Sequence, residues 1–456
     1  MTTNQKKNIP VRELCLEVII EVLEKGGYSH KLINATLTKY QYLEKQDRAF
    51  FTRLCEGTIE HAIELDYIIN QFSKVKTNKQ KPVIRNILRM AVYQMKYMDS
   101  VPDSAACNEA VKLATKKGFH TLKGFVNGVL RNISRGIDEI TYPDETKEPV
   151  LYLHVRYSVP VWIIKNWLAS YDYETVKKIL AYYQEAMPTS VRVNTNKITP
   201  TELKKMLEQE GITVEEGAYL DYAFRLSGYN YLNKIPSFNE GLFTVQDESS
   251  MLVGHVSGVK HGDHVIDVCS APGGKTLHVA NLLEGTGHVD SRDVSYEKIA
   301  LIEENVERFG LRNVEVSVQD ALILDETSIG KADVLLADLP CSGLGVIGKK
   351  PDIKYKMQES QLQELASLQR EILEVVTQYV KIGGTMIYST CTINKEENEK
   401  NVQFIVDHLG FELESLDEFL PASLQGETTK KGYLQLLPGT HQTDGFFLAR
   451  LRKCTH

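Results

Sequence analysis

A glycine-rich turn follows an apolar segment that is predicted to be a strand. After Val265–Val268 come Cys269, Ser270, Ala271, Pro272, Gly273, Gly274 and Lys275, and then a predicted helix. Glycines at a strand-to-helix turn let backbone N–H groups approach a ligand at the helix N-terminus. A P-loop requires G-x-x-x-x-G-K-[ST], but Cys269 stands at its first glycine position, and the dinucleotide pattern G-x-G-x-x-G is absent. The turn therefore predicts a nucleotide site of another kind.

Three acidic residues follow the next predicted strands. Asp293 lies about 20 residues beyond the turn, where a carboxylate accepts the two ribose hydroxyls of a nucleotide in sheets of this type. Asp320 and Asp338 are placed at the ends of the third and fourth strands. Any one of them is equally well explained as a helix N-cap. Together with the turn, they favour a ligand that carries a ribose and amino groups over a diphosphate.

Two cysteines are predicted at the same edge of the sheet. Cys341 follows the fourth strand in DLPCSG, and Cys391 follows the fifth in STCT. A buried, inert thiol is the commoner explanation for one cysteine. Two of them beside a candidate nucleotide site indicate a nucleophile, because a thiolate attacks readily where neighbouring groups lower its pKa.

Methylation at the 5-carbon of a pyrimidine needs this set of groups. That carbon is a poor nucleophile until a thiolate adds to the adjacent 6-carbon and makes it enamine-like, able to accept a methyl group from a sulfonium donor. A proton then leaves the 5-carbon and the thiolate is expelled. The site therefore needs a nucleophilic cysteine, a group that bonds to the ring nitrogen, and help with release.

The hydrophobic pattern predicts three regions that position these residues. The first third shows only helical periodicity, with segments near Val83–Met98, Ala105–Lys116 and Leu122–Ile133, and is predicted to be an all-α bundle. A polar linker is expected around Asp138–Pro149. Residues 150–237 mix helices, one predicted over Trp162–Tyr183, with short strands.

From residue 238 onward, apolar strands alternate with amphipathic helices. Such alternation predicts a parallel, doubly wound α/β sheet. Its strands are expected at Val265–Val268, His288–Val289, Val314–Val318, Val334–Ala337 and Met386–Ser389, with a helix from Leu362 to Val380. The predicted domains are thus 1–140, 150–237 and 238–456.

Charge is divided unevenly along the 456 residues. The whole chain has a net charge of −7, but residues 1–135 hold 22 Lys and Arg against 13 Asp and Glu, a net of +9, which leaves −16 for the rest. The basic third fits contact with a polyanion, although a lysine-rich solvated helical face explains it equally well. No apolar run reaches the roughly 18 residues of a membrane span, and Met1–Pro10 lacks the apolar core of a signal peptide.

The cysteines argue for a reduced compartment. Seven are scattered without a CxxC pair, which disfavours both a disulfide framework and a zinc cluster. We therefore expect a cytoplasmic protein without a metal or a membrane partner.

Four segments carry a resemblance to a known family. DVCSAPGGKT (267–276), DLPCSGLGVIGKKPDIKY (338–355), YSTCTINKEENE (388–399) and LPGTHQTDGFFLARL (437–451) resemble the motifs of the RsmB/Fmu (Sun) family of S-adenosylmethionine-dependent RNA cytosine-5 methyltransferases. DRAFFTRLCEGTIEHAIELDYII (47–69), RNILRMAVYQ (85–94) and the segment from Asn108 to Arg131 resemble the NusB RNA-binding domain. The resemblance covers nearly the whole chain and implies a NusB-like bundle, a small α+β domain and a Rossmann-like class I methyltransferase domain.

The resemblance also implies roles for the site residues. The turn from Cys269 to Lys275 would hold the methionine part of S-adenosylmethionine, Asp293 its ribose, and Asp320 would lie near the adenine. Asp338 would line the donor and base pocket. Cys391 would be the nucleophile and Cys341 would assist product release, although DNA cytosine methyltransferases attack with the cysteine equivalent to Cys341.

RNA contacts are expected at two further places. The basic stretch Lys349, Lys350, Lys354 and Lys356 is predicted to contact phosphate, and Arg192 with Asn194 resembles a family element that contacts RNA. The resemblance implies a cytosine of small-subunit rRNA as the target, either in free rRNA or in an assembling particle. A non-catalytic assembly factor and a nucleotide hydrolase remain as alternatives; the intact cysteine pair and the missing P-loop glycine disfavour them.

Overall fold

The computed structural model describes residues 10–185 and 187–454. Backbone contacts divide the chain into two compact units: residues up to 184 together with 347–357, and residues 185–346 together with 358 onward. No helix within the described residues is long and apolar enough to cross a membrane.

The first unit is built from helices. They are α1 (Val11–Lys25), α2 (Ser29–Lys39), α3 (Lys45–Glu60), α4 (Ala62–Phe72), α5 (Pro82–Tyr97), α6 (Asp103–Lys116), α7 (Lys123–Gly136), α8 (Pro149–Arg156), α9 (Val161–Leu168) and α10 (Tyr173–Tyr182). Leu54, Ile68, Leu88 and Leu130 are fully buried in one shared core. The predicted all-α bundle is confirmed.

Two expectations about the first unit are wrong in detail. The single helix predicted over Trp162–Tyr183 is two helices, because Asp172 ends the turn between them and caps α10 by accepting a hydrogen bond from the Thr175 N–H at 2.8 Å. The segment after α7 is not a detached linker. The Tyr142 hydroxyl donates to Glu64 Oε1 at 2.7 Å, and so fastens this segment to the bundle.

Residues 347–357 also pack within the first unit, although they follow the Cys341 loop along the chain. In the short helix Ile353–Lys356, the Lys354 ammonium donates to the Glu60 carbonyl at 2.9 Å and is almost fully buried. This burial lowers the pKa of Lys354 to about 8. The prediction that Lys354 contacts phosphate is therefore wrong.

A small antiparallel sheet opens the second unit. Its strands are β1 (Thr189–Val193), β2 (Thr213–Glu216), β3 (Ala223–Ser227) and β4 (Phe243–Val245), in the order β2-β3-β1-β4. Helix α11 (Pro200–Gln209) packs on the sheet and starts with a capping box between Thr199 and Glu202. The sheet and α11 form the strand-containing part of the small α+β domain, whereas the helices between residues 150 and 184 group with the first unit.

Arg192 and Asn194 are buried by this sheet and are not surface residues. Arg192 Nε donates to Gln246 Oε1 at 2.8 Å, and burial lowers its pKa to about 9. Asn194 Nδ2 donates to the Gly241 carbonyl at 2.9 Å. The prediction that this pair contacts RNA is wrong, since both side chains are used inside the protein.

A larger sheet forms the rest of the second unit. Its strands are β5 (His264–Asp267), β6 (His288–Asp293), β7 (Val314–Val318), β8 (Ala332–Asp338), β9 (Val380–Thr390), β10 (Phe411–Leu413), β11 (Tyr433–Leu436) and β12 (Phe446–Lys453). The order is β10-β12-β9-β8-β5-β6-β7, and β11 pairs with β12. Helices α12 (Glu248–Ser257), α13 (Gly274–Leu282), α14 (Tyr296–Phe309), α15 (Glu359–Val376) and α16 (Glu399–His408) accompany it, with short helices at Pro236–Asn239 and Glu427–Lys431.

The larger sheet is mixed, which corrects the expectation of a purely parallel one. Strands β5 to β9 pair in parallel, whereas β10, β11 and β12 pair antiparallel. Hydrophobic periodicity does not indicate strand direction, so the largely apolar segment 446–451 does not predict that β12 is antiparallel to β9. Because β5, β6, β8 and β9 are parallel, their carboxyl ends meet at one edge, and the predicted site residues follow them there.

Candidate functional site

The glycine-rich turn is fixed by its own backbone and by the end of β6. The Ser270 N–H and its hydroxyl both donate to the Arg292 carbonyl at 2.9 Å. Gly273 has a φ of 101°, and a Cβ there would lie 3.3 Å from Ile302 Cγ2. This position therefore requires glycine both for its conformation and for the close approach of α14.

Asp293 joins the end of β6 to the turn. Its Oδ2 accepts the Ala271 N–H at 3.0 Å, and its Oδ1 accepts the Val294 N–H at 2.7 Å and the Lys298 ammonium at 2.9 Å. A carboxylate has about four acceptor positions, so capacity for a further hydroxyl remains. Asp320 lies two residues beyond β7 and is half-buried, and its Oδ1 accepts the Leu322 N–H at 3.0 Å.

At two other residues of the turn region, Cys269 and Asp267, burial favours the neutral form of the side chain. Burial, with the nearby carboxylates of Asp293, Asp267 and Asp338, raises the pKa of Cys269, which therefore stays a neutral thiol. Burial also raises the pKa of Asp267 to about 7, although Thr276 Oγ1 donates to its Oδ2 at 2.7 Å.

Lys275 points from the start of α13 toward the end of β8. Its ammonium lies 2.6 Å from Asp338 Oδ2, while Asp338 Oδ1 accepts the Ser389 hydroxyl at 2.7 Å. Burial opposes the ammonium charge, but Asp338, Asp267 and Cys391 together raise the pKa of Lys275. Lys275 is thus a fixed cation between the turn and the cysteine loops.

Cys341 and Cys391 meet at the carboxyl ends of β8 and β9. Their sulfur atoms are 3.3 Å apart, and neither cysteine is in a disulfide. The contact with Cys391, burial, and the charges of Glu397 and Asp338 raise the pKa of Cys341 well above its ordinary value. Cys341 is therefore a neutral thiol that lies against the sulfur of Cys391.

A backbone junction holds the two cysteine loops together. The Gly345 N–H donates to the Cys391 carbonyl at 3.0 Å, and the Gly445 N–H donates to the Gly345 carbonyl at 2.8 Å. A Cβ on Gly345 would lie 2.0 Å from the Gly445 carbonyl oxygen. Only glycine fits at this crossing of three chain segments.

The sequence reasoning missed Glu397, Ser342 and Ser389. Glu397 is fully buried and accepts both the N–H and the hydroxyl of Ser342, at 2.8 and 2.6 Å. The only signal was their place inside the segments that carry the family resemblance, because periodicity does not reveal hydrogen-bond partners across a sheet.

A different polar cluster lies near the amino ends of the parallel strands. His264 Nε2 is 3.1 Å from Asp290 Oδ2, and His288 Nε2 is 2.8 Å from Asp290 Oδ1. The ligand-type atoms of these three side chains lie within 4.8 Å of one another. Arg292 also contacts Asp290 at 3.1 Å, which already supplies a cation to this carboxylate.

Comparison with known proteins identifies the class of the second unit and then its family. The structure of NSun6 from Pyrococcus horikoshii with SFG superposes with a TM-score of 0.59 and 26% identity, covering 65% of this chain and 99% of that one. The crystal structure of PH0851 superposes with a TM-score of 0.81 and 27% identity, and the match covers 98% of this chain and 99% of that one. The fold and the site at its carboxyl edge define an S-adenosylmethionine-dependent methyltransferase domain.

Three family models match the chain. The model described as 16S rRNA methyltransferase RsmB/F matches residues 256–452, the NusB family matches 10–135, and the RsmF/B-like ferredoxin-like domain matches 159–231. A Bacillus subtilis (strain 168) protein named "Probable ribosomal RNA small subunit methyltransferase B" is 37% identical over 455 residues, covering 98% of this chain and 99% of the relative. The chain belongs to the RsmB/F family of 16S rRNA methyltransferases.

Proposed function

We propose that the protein methylates the 5-carbon of a cytosine in small-subunit rRNA through a covalent bond between Cys391 and the base. The observation that carries this proposal is the 3.3 Å contact between Cys341 Sγ and Cys391 Sγ beside the Lys275–Asp338 pair. Acting on rRNA, the enzyme would work in the cytoplasm.

The residues at the turn fit S-adenosylmethionine. Gly273 keeps the turn free of a side chain, Asp293 retains acceptor capacity for a ribose hydroxyl, and Asp320 lies near the end of the neighbouring strand. When bound, S-adenosylmethionine supplies an electrophilic methyl group. Lys275 is held by Asp338, so we assign contact with the methionine part to the backbone of Cys269–Gly274.

Charge distinguishes the two cysteines. Cys341 is the sulfur whose proton is retained, because its contact with Cys391, its burial and the charges of Glu397 and Asp338 all raise its pKa. Cys391 and Lys275 interact favourably, since a thiolate at Cys391 raises the pKa of Lys275 and, by reciprocity, the ammonium stabilises that thiolate. This supports Cys391 as the nucleophile that adds to the 6-carbon.

The remaining steps use groups already in place. When the thiolate adds, the ring nitrogen takes up a proton from solvent, and Asp338, fixed by Lys275 and Ser389, is positioned to accept the hydrogen bond of that N–H. After the 5-carbon has accepted the methyl group, its proton passes to solvent, the electron pair of that C–H bond re-forms the ring double bond, and the bond between Cys391 Sγ and the 6-carbon breaks to return the Cys391 thiolate. Cys341 assists this release. The target cytosine must be unstacked to reach the thiol, which favours a loop or junction of the rRNA.

The basic first third is the proposed RNA-binding part. Its net charge of +9 between residues 1 and 135 suits phosphate contacts, and the NusB family model covers the same region. This division assigns RNA capture to the helical unit and chemistry to the sheet.

The test is a denaturing gel of enzyme incubated with small-subunit rRNA and methyl-labelled donor. Cys391→Ala should lose methyl transfer by on the order of 10⁴-fold or more and form no covalent band, because the nucleophile is gone. Cys341→Ala should accumulate a protein–RNA band, because the bond forms but is released slowly.

Cys454→Ala, at a half-buried thiol near the chain end, serves as the control and should behave as the wild type. Full activity of Cys391→Ala would overturn the nucleophile assignment, and absence of a band from Cys341→Ala would overturn the release role. Calorimetric binding of ATP in place of S-adenosylhomocysteine would instead favour a nucleotide hydrolase.

A further inference from the structure

Glu397 makes four hydrogen bonds with its carboxylate, all inside the protein. Oε1 accepts the Ser342 hydroxyl at 2.6 Å and Asn394 Nδ2 at 3.1 Å. Oε2 accepts the Ser342 N–H at 2.8 Å and Gln369 Nε2 at 3.1 Å. These four donors fill the acceptor positions of a carboxylate, which offsets the cost of burying its charge.

The partners of Glu397 lie on both cysteine loops. Ser342 follows Cys341 directly, and its hydroxyl also contacts Thr392 Oγ1, the neighbour of Cys391, at 2.8 Å. Gln369 from α15 donates in addition to the Pro340 carbonyl at 2.8 Å, so the residues before and after Cys341 are both held. One buried carboxylate therefore connects the two loops that carry the thiols.

We infer that Glu397 is a positioning residue that holds Cys341 Sγ against Cys391 Sγ and so sets the rate at which the covalent intermediate is released. This inference rests on the proposed function. Glu397 has no need to touch the RNA for this role, because it acts through Ser342 and the Cys341 loop. A displacement of a reacting group by about 1 Å costs on the order of 100-fold in rate.

The role requires a carboxylate and is not met by an amide of the same shape. The four groups that contact the Glu397 carboxylate, two of them from Ser342, are all donors, so glutamine would turn its NH₂ group toward at least one of them. Glu397→Gln should therefore release the Cys341 loop without removing side-chain volume. Glu397→Asp keeps the charge and should restore part of the lost rate.

The main experiment is a double-mutant cycle on the resolution of the covalent protein–RNA adduct, followed by rapid quench and denaturing gel. Glu397→Gln should slow resolution by about 10- to 100-fold, while adduct formation changes less. In the Cys341→Ala background the same substitution should have no further effect, because its target is already absent. The inference would be overturned if the double variant resolved the adduct more slowly than Cys341→Ala by the full factor lost in Glu397→Gln. It would also be overturned if Glu397→Gln resolved the adduct at the wild-type rate.

Glu396→Gln is the matched control, because Glu396 is the preceding residue and its carboxylate forms an exposed ion pair with Lys400. Binding of S-adenosylhomocysteine, measured by calorimetry, reports whether each variant is folded. If Glu397→Gln fails to bind it, Ser342→Ala takes its place in the cycle, since that change removes the hydroxyl bond and keeps the Ser342 N–H.

A second measurement does not depend on methylation. Alkylation of Cys341 by iodoacetamide, followed by peptide mass spectrometry without RNA, should be about tenfold faster in Glu397→Gln than in the wild type or Glu396→Gln, because the thiol is no longer held against Cys391 and one of its two nearby carboxylates is gone, so that it ionises more readily. Unchanged labelling would count against the inference alone. An active Cys391→Ala enzyme would overturn the proposed function, whatever the labelling shows.

Discussion

Two lysine–aspartate pairs of equal length lie at opposite ends of the parallel strands. Lys275 Nζ is 2.6 Å from Asp338 Oδ2 at the carboxyl end, and Lys381 Nζ is 2.6 Å from Asp333 Oδ1 near the amino end. Only 12% of the Lys275 side chain is exposed, against 44% of Lys381. The contact distance is the same, so burial and neighbours decide what each pair contributes.

The largest difference is expected when each lysine is replaced by methionine. Lys275→Met leaves Asp338 without its cation beside two thiols, and loss of one partner from a buried pair costs about 3–5 kcal/mol. We expect methyl transfer to fall by about 100-fold or more in the same variant. Lys381→Met should cost at most about 1 kcal/mol, as exposed pairs do, and leave activity unchanged.

Urea unfolding and single-turnover methylation of both variants test this contrast. Equal losses of stability would show that burial does not separate the two pairs. Loss of activity in Lys381→Met would show that the amino end also takes part in the reaction.

Asp267 gives the next largest effect, through pH. Burial raises its pKa in the folded protein to about 7 from the ordinary 3.8. The folded state therefore retains a proton that the unfolded chain has lost, and the unfolding free energy falls as pH rises from about 4 to about 7. The fall amounts to at most about 4 kcal/mol, since one pKa unit corresponds to about 1.36 kcal/mol.

Asp267→Asn should remove this contribution, which is read as a flatter dependence of urea stability on pH between 4 and 7. The two proteins are compared by the slope of the unfolding free energy against pH, because their absolute stabilities differ at every pH. An unchanged slope would mean that Asp267 is ionised in the folded protein.

Asp290, at the amino end, has the smallest expected effect and the opposite sign. Burial opposes its charge, but the hydrogen bond and charge of His264 and the charges of Arg292 and His288 lower its pKa to about 2. Its stabilisation is complete above the ordinary pKa of 3.8 and is lost as pH falls toward 2. Asp290→Asn should cost about 1–2 kcal/mol at pH 7, a difference that shrinks below pH 4.

Methyl transfer by Asp290→Asn at pH 7 should equal that of the wild type, because Asp290 lies three residues, about 10 Å, before Asp293 along β6. Reduced transfer at unchanged stability would contradict the separation of the two ends.

The contrast also explains which parts of the structure the sequence could predict. Strands β5 and β7 were placed within one residue, because buried parallel strands are short apolar runs bounded by turns. The turn and both cysteines were located for the same reason, since they follow such strands directly. Periodicity did not reveal the antiparallel direction of β12, which depends on distant pairing.

The sequence does not predict which side chains point into the protein and which face solvent. Charge predicts an RNA contact for Lys354 and the family resemblance predicts one for Arg192, yet both are buried and hydrogen-bonded inside the protein. Lys275 was assigned to the turn, but its long side chain reaches Asp338. The sequence does not predict the role of Glu397 either, because its hydrogen-bond partners come from α15 and from two loops that are far apart in the chain.

The eleven residues 347–357 limit how far the protein is modular. They stand between the Cys341 loop and α15 in the chain, yet Tyr355 packs on the helical core and its hydroxyl donates to the Glu60 carbonyl at 2.9 Å. A gene fusion of two self-sufficient domains would leave each with a continuous chain. Here the helical unit includes a segment of the catalytic sequence, so it is not formed by one continuous stretch of the chain.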